Sequence, residues 1–275
     1  MRKSILITGC SSGIGRDAAL GLQRRGWRVF ASCRKEADCQ ELRDQGFESP
    51  RIDYADPDSI RSGLAQVLEA TGGRLDALFN NGAYAVPGAV EDLPREALAE
   101  LFQTNVFGVH DLTRQVIPVM RAQGHGRIVN CSSILGFIVA PWRGAYNASK
   151  HALEGLTDTL RIEMRDTPIR IITLEPGPVT SRIRQNSVPH FERWIDWENA
   201  PRAEQYRTRL RKRLYDERGP DRFELPASAV TEKLWRALED PAPRARYYVT
   251  TPTYVFGLLK RLLPTAWLDW ILAKG

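Results

Sequence analysis

A short apolar run, Ser4–Thr8, empties into a turn of glycines and serines, Gly9-Cys10-Ser11-Ser12-Gly13-Ile14-Gly15, and a segment of helical spacing comes next. Few folds use that order. A first glycine lets a strand turn sharply, a second lets backbone come close to a ligand, and a third lets the helix pack against the strand. Gly9, Gly13 and Gly15 stand at those three places. A helix N-terminus presents free N–H groups and partial positive charge, so such a turn suits a pyrophosphate. The pattern is weak alone and gains its meaning from its place at the first strand-to-helix junction.

The rest of the chain repeats the alternation. Apolar runs at Ser4–Thr8, Arg28–Cys33, Ser49–Ile52, Ala77–Phe79, Arg127–Cys131, Ile169–Leu174 and Arg246–Val249 are separated by segments of helical period. Runs this short and apolar suit parallel strands buried on both faces. With right-handed crossovers they predict an α/β fold, a Rossmann-like doubly wound parallel sheet in three αβα layers. No linker or repeat interrupts it, so 1–275 is expected to be a single domain. Two stretches leave the rhythm. The region 178–219 holds Phe191, Trp194, Trp197 and Tyr206, and the tail 252–275 holds Tyr254, Phe256, Trp267 and Trp270. Both come after strands, where ligand-binding loops of open sheets gather, so the first is expected as a substrate lid.

The net charge of +6 invites a nucleic-acid reading, but its distribution argues against one. Residues 181–275 carry 18 basic and 12 acidic side chains, whereas 1–180 carry 21 of each. The excess is confined to the lid and the C-terminal segment beyond it, with no long run of like charge. The four cysteines lack paired metal spacing. No metal is expected, and reduced thiols suit a cytoplasmic setting. The N-terminal apolar run is too short for a signal-peptide core, and no stretch reads as a spanning helix.

The second strand bears on the cofactor. A NAD-binding fold usually ends that strand in an acid that holds the ribose hydroxyls. Here it ends Ser32-Cys33-Arg34-Lys35. The arginine fork can pair with a 2′-phosphate, with Ser11 adding a hydroxyl, which favours NADP(H). Glu36 and Asp38 come slightly late and are the best argument for NAD(H).

Tyr146 and Lys150 are one helical turn apart on the same face. A phenol is a poor base at neutral pH, and a nearby ammonium favours phenolate, so the pair can act as a general acid/base. Tyr-x-x-x-Lys is common in proteins. Three further features give this one weight: Ser132-Ser133 after the strand Arg127–Cys131, Asn80-Asn81-Gly82-Ala83 after the strand ending in Phe79, and Asn105 inside the helical segment Glu96–Met120.

Taken together, residues 4–180 resemble the short-chain dehydrogenase/reductase family, and the Thr8–Gly15 loop resembles its steroid- and retinol-type branch. The resemblance implies a seven-stranded parallel sheet and a catalytic set of Asn105, Ser133, Tyr146 and Lys150. It implies that Gly9, Ser11, Ser12, Gly13, Ile14 and Gly15 hold the cofactor phosphates, that Asp53 contacts the adenine, and that Asn80 and Gly82 support the pocket. It also implies that Pro176, Gly177, Val179 and Thr180 form the nicotinamide-side turn, and that Lys150 holds the nicotinamide ribose while Asn105 supports a water relay. One departure is Gly82-Ala83, where the family has Ala-Gly. A homodimer or homotetramer is expected from the resemblance alone.

The substrate side is less explicit. Leu135, Phe137, Trp142, Phe191 and Trp194 are the expected pocket wall, and their character points to a lipophilic ketone, aldehyde or alcohol. No obvious cluster suits a highly charged substrate. In Pro201–Arg218, Ala203, Tyr206, Leu210 and Leu214 recur at helical spacing among Arg202, Arg207, Arg209, Arg211, Lys212, Arg213 and Arg218. This basic amphipathic helix reads as a solvated lid face, with contact to an anionic membrane surface as the other reading. Two alternatives to an NADP(H)-dependent carbonyl reductase stand: a NAD-dependent hydroxysteroid-type dehydrogenase, and a non-catalytic cofactor sensor. A sensor has little use for both Tyr146 and Lys150.

Overall fold

The structure is a computed structural model that describes residues 2–216 and 219–273. Its sheet has six parallel strands in the order β2-β1-β3-β4-β5-β6. These are β1 (Ser4–Ile7), β2 (Arg28–Ala31), β3 (Ala77–Asn80), β4 (Gly126–Cys131), β5 (Ile169–Glu175) and β6 (Arg246–Tyr248). The chain steps outward from β1 to β2, then crosses to β3 on the other side of β1. That reversal opens a crevice at the strand ends between β1 and β3, the place where such sheets bind ligands.

Strand periodicity sorts the core into two layers. Ile5 and Ile7 of β1 face α1 (Gly13–Arg24) and α10 (Ser228–Glu239), packing with Ala19, Leu22, Val230 and Leu234. Leu6, Leu78, Ile128 and Ile171 face the other way. They pack on α3 (Pro57–Thr71), α5 (Val109–Gln123) and α6 (Gly144–Glu163) through Leu64, Leu112, Val116 and Leu153. Helices on both faces make the three layers expected from the sequence.

The strand count differs from the expectation. Ser49–Ile52 runs beside β2 but makes only isolated bridges, with Ala31 N donating to Glu48 O at 2.8 Å and Ile52 N to Cys33 O at 2.9 Å. Pro50 lies between those bonds and has no N–H to give a ladder. A seventh strand is therefore absent among the described residues.

The lid and tail have structure of their own. After α7 (Ile183–Trp194) come α8 (Ala203–Gln205), a π-helical segment Tyr206–Leu210 and α9 (Arg211–Tyr215). Phe191, Ile195, Tyr206, Leu210 and Leu214 form a small separate core beneath them. Three of the six described basic residues of this segment meet acids of the same chain: Arg202 with Glu91, Arg207 with Glu204 and Arg213 with Asp221. The segment thus packs on its own chain, while Arg218 lies outside the described residues. The tail forms α11 (Thr251–Leu262) and α12 (Thr265–Leu272), and α12 buries none of its residues. Trp267 and Trp270 are 66% and 64% exposed. Lys274 lies outside the described residues, and no described helix is long and apolar enough to cross a membrane.

A buried charge cluster joins β6 to the catalytic helix. Arg246 reaches Glu154 at 2.6 Å and Asp158 at 2.5 Å, and also pairs with Glu175 at the end of β5. Arg161 joins it on Asp158 at 2.5 Å, so two cations face three carboxylates, and Arg246 alone serves Glu154 and Glu175. Glu154 Oε1 and Glu175 Oε2 are left without a hydrogen-bond partner. Burial, and then Glu154, push the Glu175 carboxyl up to about 8, so it holds a proton at neutral pH.

Candidate active site

The glycine turn does what its sequence requires. Gly9 and Gly13 have φ of +70° and +56°, a region costly for side chains. A Cβ on Gly9 would stand 2.7 Å from Gly82 Cα, and one on Gly15 would stand 2.3 Å from Gly9 O. Gly82, the residue that departs from the family pattern, is therefore a packing partner of the turn. Ser12 begins α1 without a side-chain cap, so no side chain covers the first N–H groups of that helix. This uncapped N-terminus, Ser11 and Ile14 included, fits a cofactor pyrophosphate.

The neighbouring asparagines hold the crevice together. Asn80 Oδ1 accepts from the Tyr54 hydroxyl at 2.6 Å, and its Nδ2 donates to Asn130 Oδ1 and Thr113 Oγ1. Its polar atoms are thus tied to the sheet, which makes it a brace. Asn81 Nδ2 donates to Thr8 O, locking the turn to β3. Asp53 caps the local turn by accepting from Ala55 N at 3.0 Å and stays half-buried.

At the end of β2, Arg34 is exposed and its side chain has no acid partner among the described residues. Glu36 is already bound to Arg43 at 2.6 Å. One of the two carboxylates that supported NAD(H) is therefore occupied on α2 (Glu36–Asp44), while Asp38 on the same helix has no ion pair among the described residues.

Tyr146, Lys150, Ser133 and Asn105 come together at the ends of β4 and β5. Ser133 begins the short 3₁₀ turn Ile134–Gly136, where its Oγ accepts from Leu135 N at 3.1 Å and donates to Pro176 O at 3.4 Å. The Ser133 side chain also meets the Tyr146 phenol. Lys150 is buried and donates to Cys131 O at 2.8 Å, with its Nζ 5.5 Å from the Tyr146 ring centroid. Burial pushes its ammonium below the usual lysine value.

The tyrosine differs from its expected state. Burial, then the Cys131 thiol, push its pKa above the usual value, while Arg143 and Ser133 pull it down without prevailing. Lys150 lies over the ring, held by a backbone carbonyl, and is not the cation that pulls on this phenol. Asn105 also differs. It sits in a π-helical insert, Gln103–Gly108, between α4 (Arg95–Phe102) and α5, a device often found at functional sites. Its amide accepts from Tyr84 N and donates to Tyr84 O and Ser149 Oγ, so its side chain clamps the Tyr84 loop to the catalytic helix. With both N–H groups taken, that side chain has no proton left for a water relay.

Other expected residues take mixed positions. Gly177 packs so closely that a Cβ would meet Thr250 Oγ1, and Val179 bridges Leu225. The Thr180 hydroxyl donates to Glu224 at 2.7 Å, which commits its proton and leaves its lone pairs as acceptors for a carboxamide N–H. Leu135 is buried, and Phe137 stacks on Tyr248 at 5.6 Å toward the tail. Trp194 lies under the Arg193 guanidinium. Phe191 is only 1% exposed and packs within the lid core on Tyr206, so it supports the lid and does not line a pocket. Trp142 remains half-buried at the site, with φ of +65°. Its carbonyl accepts from Gly88 N at 2.9 Å, and its ring packs on the lid residue Tyr206 at 4.9 Å.

Sequence reading missed Arg143. It opens α6, one turn before Tyr146 on the same face, a spacing that was available in the sequence. Burial, and then Arg213, push its guanidinium down to about 10.

A doubly wound sheet with this turn and this Ser/Tyr/Lys grouping defines a nicotinamide-dependent oxidoreductase. Residues 3–191 match the family model described as short chain dehydrogenase. The chain is 38% identical to the uncharacterized oxidoreductase YbbO of Escherichia coli K12, over 99% of this chain and 94% of that protein. It is 32% identical to rat 17-beta-hydroxysteroid dehydrogenase type 6, over 98% of this chain and 88% of that one. A Burkholderia phymatum short chain dehydrogenase/reductase solved in complex with NAD superposes with a TM-score of 0.77 at 27% identity, covering 95% and 92% of the two chains. The protein belongs to the short-chain dehydrogenase/reductase family.

Proposed function

We propose that the chain is an NADP(H)-dependent enzyme that interconverts a lipophilic ketone or aldehyde and its alcohol, with Tyr146 as the general acid/base. The carrying observation is the half-buried Tyr146 phenol beside Ser133, with Lys150 one turn further along the same helix. The bound cofactor supplies the hydride. Ser133 and Tyr146 hold the carbonyl oxygen between two hydroxyls, and Tyr146 passes its proton to that oxygen as negative charge develops. Its raised pKa keeps it protonated at neutral pH, the form that reduction needs. Lys150 exchanges its bond to Cys131 O for the nicotinamide ribose. Pro176, Gly177 and Val179 back the nicotinamide.

The preference for NADP(H) is supported by the unpartnered Arg34 and by the engagement of Glu36 with Arg43. The likeness to a hydroxysteroid dehydrogenase favours a second reading, oxidation of a hydroxysteroid-type secondary alcohol with NAD. Four buried free cysteines suit a reducing, cytoplasmic setting. The exposed tail suits a homo-oligomer contact. The test is a panel of steroids, retinoids and simple carbonyls with both cofactors, run on the native chain and on Tyr146→Phe. Turnover is expected to fall by roughly 10²–10⁴-fold while NADPH fluorescence still reports binding. Near-native turnover in Tyr146→Phe would sink the assignment.

A further inference from the structure

Three arginines from distant parts of the sequence gather where the start of the catalytic helix meets the lid, whose core takes in the neighbouring Trp142. Arg143 opens the catalytic helix, Arg184 lies in the first turn of α7, and Arg213 lies in α9. The charges of Arg213, Tyr146, Asp221 and Arg184 all act on Arg143. Asp221 is the one carboxylate in that group, and Arg213 already takes it at 3.4 Å. Neither Arg143 nor Arg184 has a side-chain hydrogen bond or ion pair among the described residues. Arg143 lies deep in the protein yet keeps accessible surface, as a residue facing a cleft does.

A guanidinium drawn part-way out of water without an anion is unfavourable, and a like-charged neighbour adds to the cost. The fold nevertheless holds it firmly. The Arg143 backbone bridges Gly88, its carbonyl accepts from Asn147 N at 2.8 Å, and the preceding Trp142 is fixed at positive φ against the lid. The cofactor phosphates are served elsewhere: the Ser181-Arg182 backbone lies against Gly13 of the glycine turn. Arg143 belongs to the lid side, where the walls are aromatic.

We propose that Arg143, backed by Arg184 and Arg213, receives an anionic group of the substrate. The substrate class is then a lipophilic carbonyl compound that carries a carboxylate. A planar fork binds a carboxylate through two parallel hydrogen bonds, and the anion completes what the protein leaves open. This inference rests on the reading of Tyr146 as the acid/base, because it sets which carbonyl is presented to the phenol.

The test compares an ω-oxo fatty acid with its methyl ester, using the full chain and NADPH. The native chain is expected to prefer the acid by about tenfold or more in kcat/KM, and Arg143→Ala to reduce that ratio to near one. Arg143→Lys keeps part of the preference, and Arg184→Ala lowers it less than Arg143→Ala. An acid-to-ester ratio that is unchanged in Arg143→Ala, or already near one in the native chain, overturns the proposal. So does a rise in the NADPH KM that exceeds the change for the acid, since the anion would then be the cofactor's. A binding arm needs no turnover: laurate should raise the melting temperature of the native chain more than lauryl alcohol does, and should lose that advantage in Arg143→Ala. Equal stabilisation by both ligands also overturns it. Laurate binding through Arg143 without any carbonyl turnover would leave the anion site standing and remove the acid/base reading.

Discussion

The two parts of the chain handle polar groups in opposite ways. Up to residue 180, charges balance, and the polar side chains that brace the crevice answer one another: Asn80 with Tyr54 and Asn130, Asn105 with Tyr84 and Ser149, Lys150 with Cys131 O. Beyond it, positive charge exceeds negative, the Arg184 side chain has no hydrogen bond or ion pair among the described residues, and Trp267 stands largely in solvent. The first part pairs these groups within itself and leaves others open, Arg34 and Arg143 among them, where a cofactor and a substrate would be received. The second is complete only with something else against it, which is the condition of a region that selects substrates or neighbours.

The contrast can be broken most forcefully inside the first part. Gly15→Ala places a Cβ 2.3 Å from Gly9 O, where backbone must move. We expect a loss of about 1–3 kcal/mol in stability. Cofactor affinity should fall with it, and a substitution tolerated on both counts by thermal melting and NADPH titration would show that the turn is loose. Arg34→Ala should lower the preference for NADP(H) over NAD(H) by about tenfold or more while steady-state rates with NAD(H) hold. An unchanged ratio of kcat/KM values for the two cofactors would move the selectivity elsewhere.

The joint between the two parts gives a pH test. The folded-state pKa of Glu175 is raised to about 8 from an ordinary 4.5, so the folded chain binds more proton than the unfolded chain between those values. Stability from this group is therefore present at low pH and is lost as pH rises through that window. Melting temperature should fall from pH 5 to pH 8.5, and Glu175→Gln should flatten the slope. A slope that survives in the variant would clear this carboxyl of the effect. The smallest change belongs to the tail: Trp267→Ala, at a side chain 66% exposed, should alter the stability of the isolated chain by no more than about 0.5 kcal/mol. Its effect should appear in light scattering if the tail carries a subunit contact. A large loss of intrinsic stability would mean that α12 belongs to the core.

Legibility in the sequence divides along the same line. The glycine turn, the strand runs and the Tyr146–Lys150 spacing are local, and local spacing translates directly into geometry. The missing seventh strand was also local, since Pro50 sits inside the run expected to form it. Phe191 was not readable, because a helical period says that one face is buried without saying whether substrate or the lid's own Tyr206 covers it. The arginine group was least readable. Arg143, Arg184 and Arg213 are brought together only by the return of the lid over the catalytic helix, and periodicity carries no record of that meeting.

Trp142 stands at the seam between the two parts. It fastens to Gly88 through its carbonyl, to the lid through its ring on Tyr206, and it comes immediately before the helix that carries Tyr146. A single residue thus acts as a mechanical coupling, so the lid cannot swing without pulling on the first turn of the catalytic helix. Opening and closing should be audible in the fluorescence of one indole, and the enzyme would sense an empty pocket as slack in that joint.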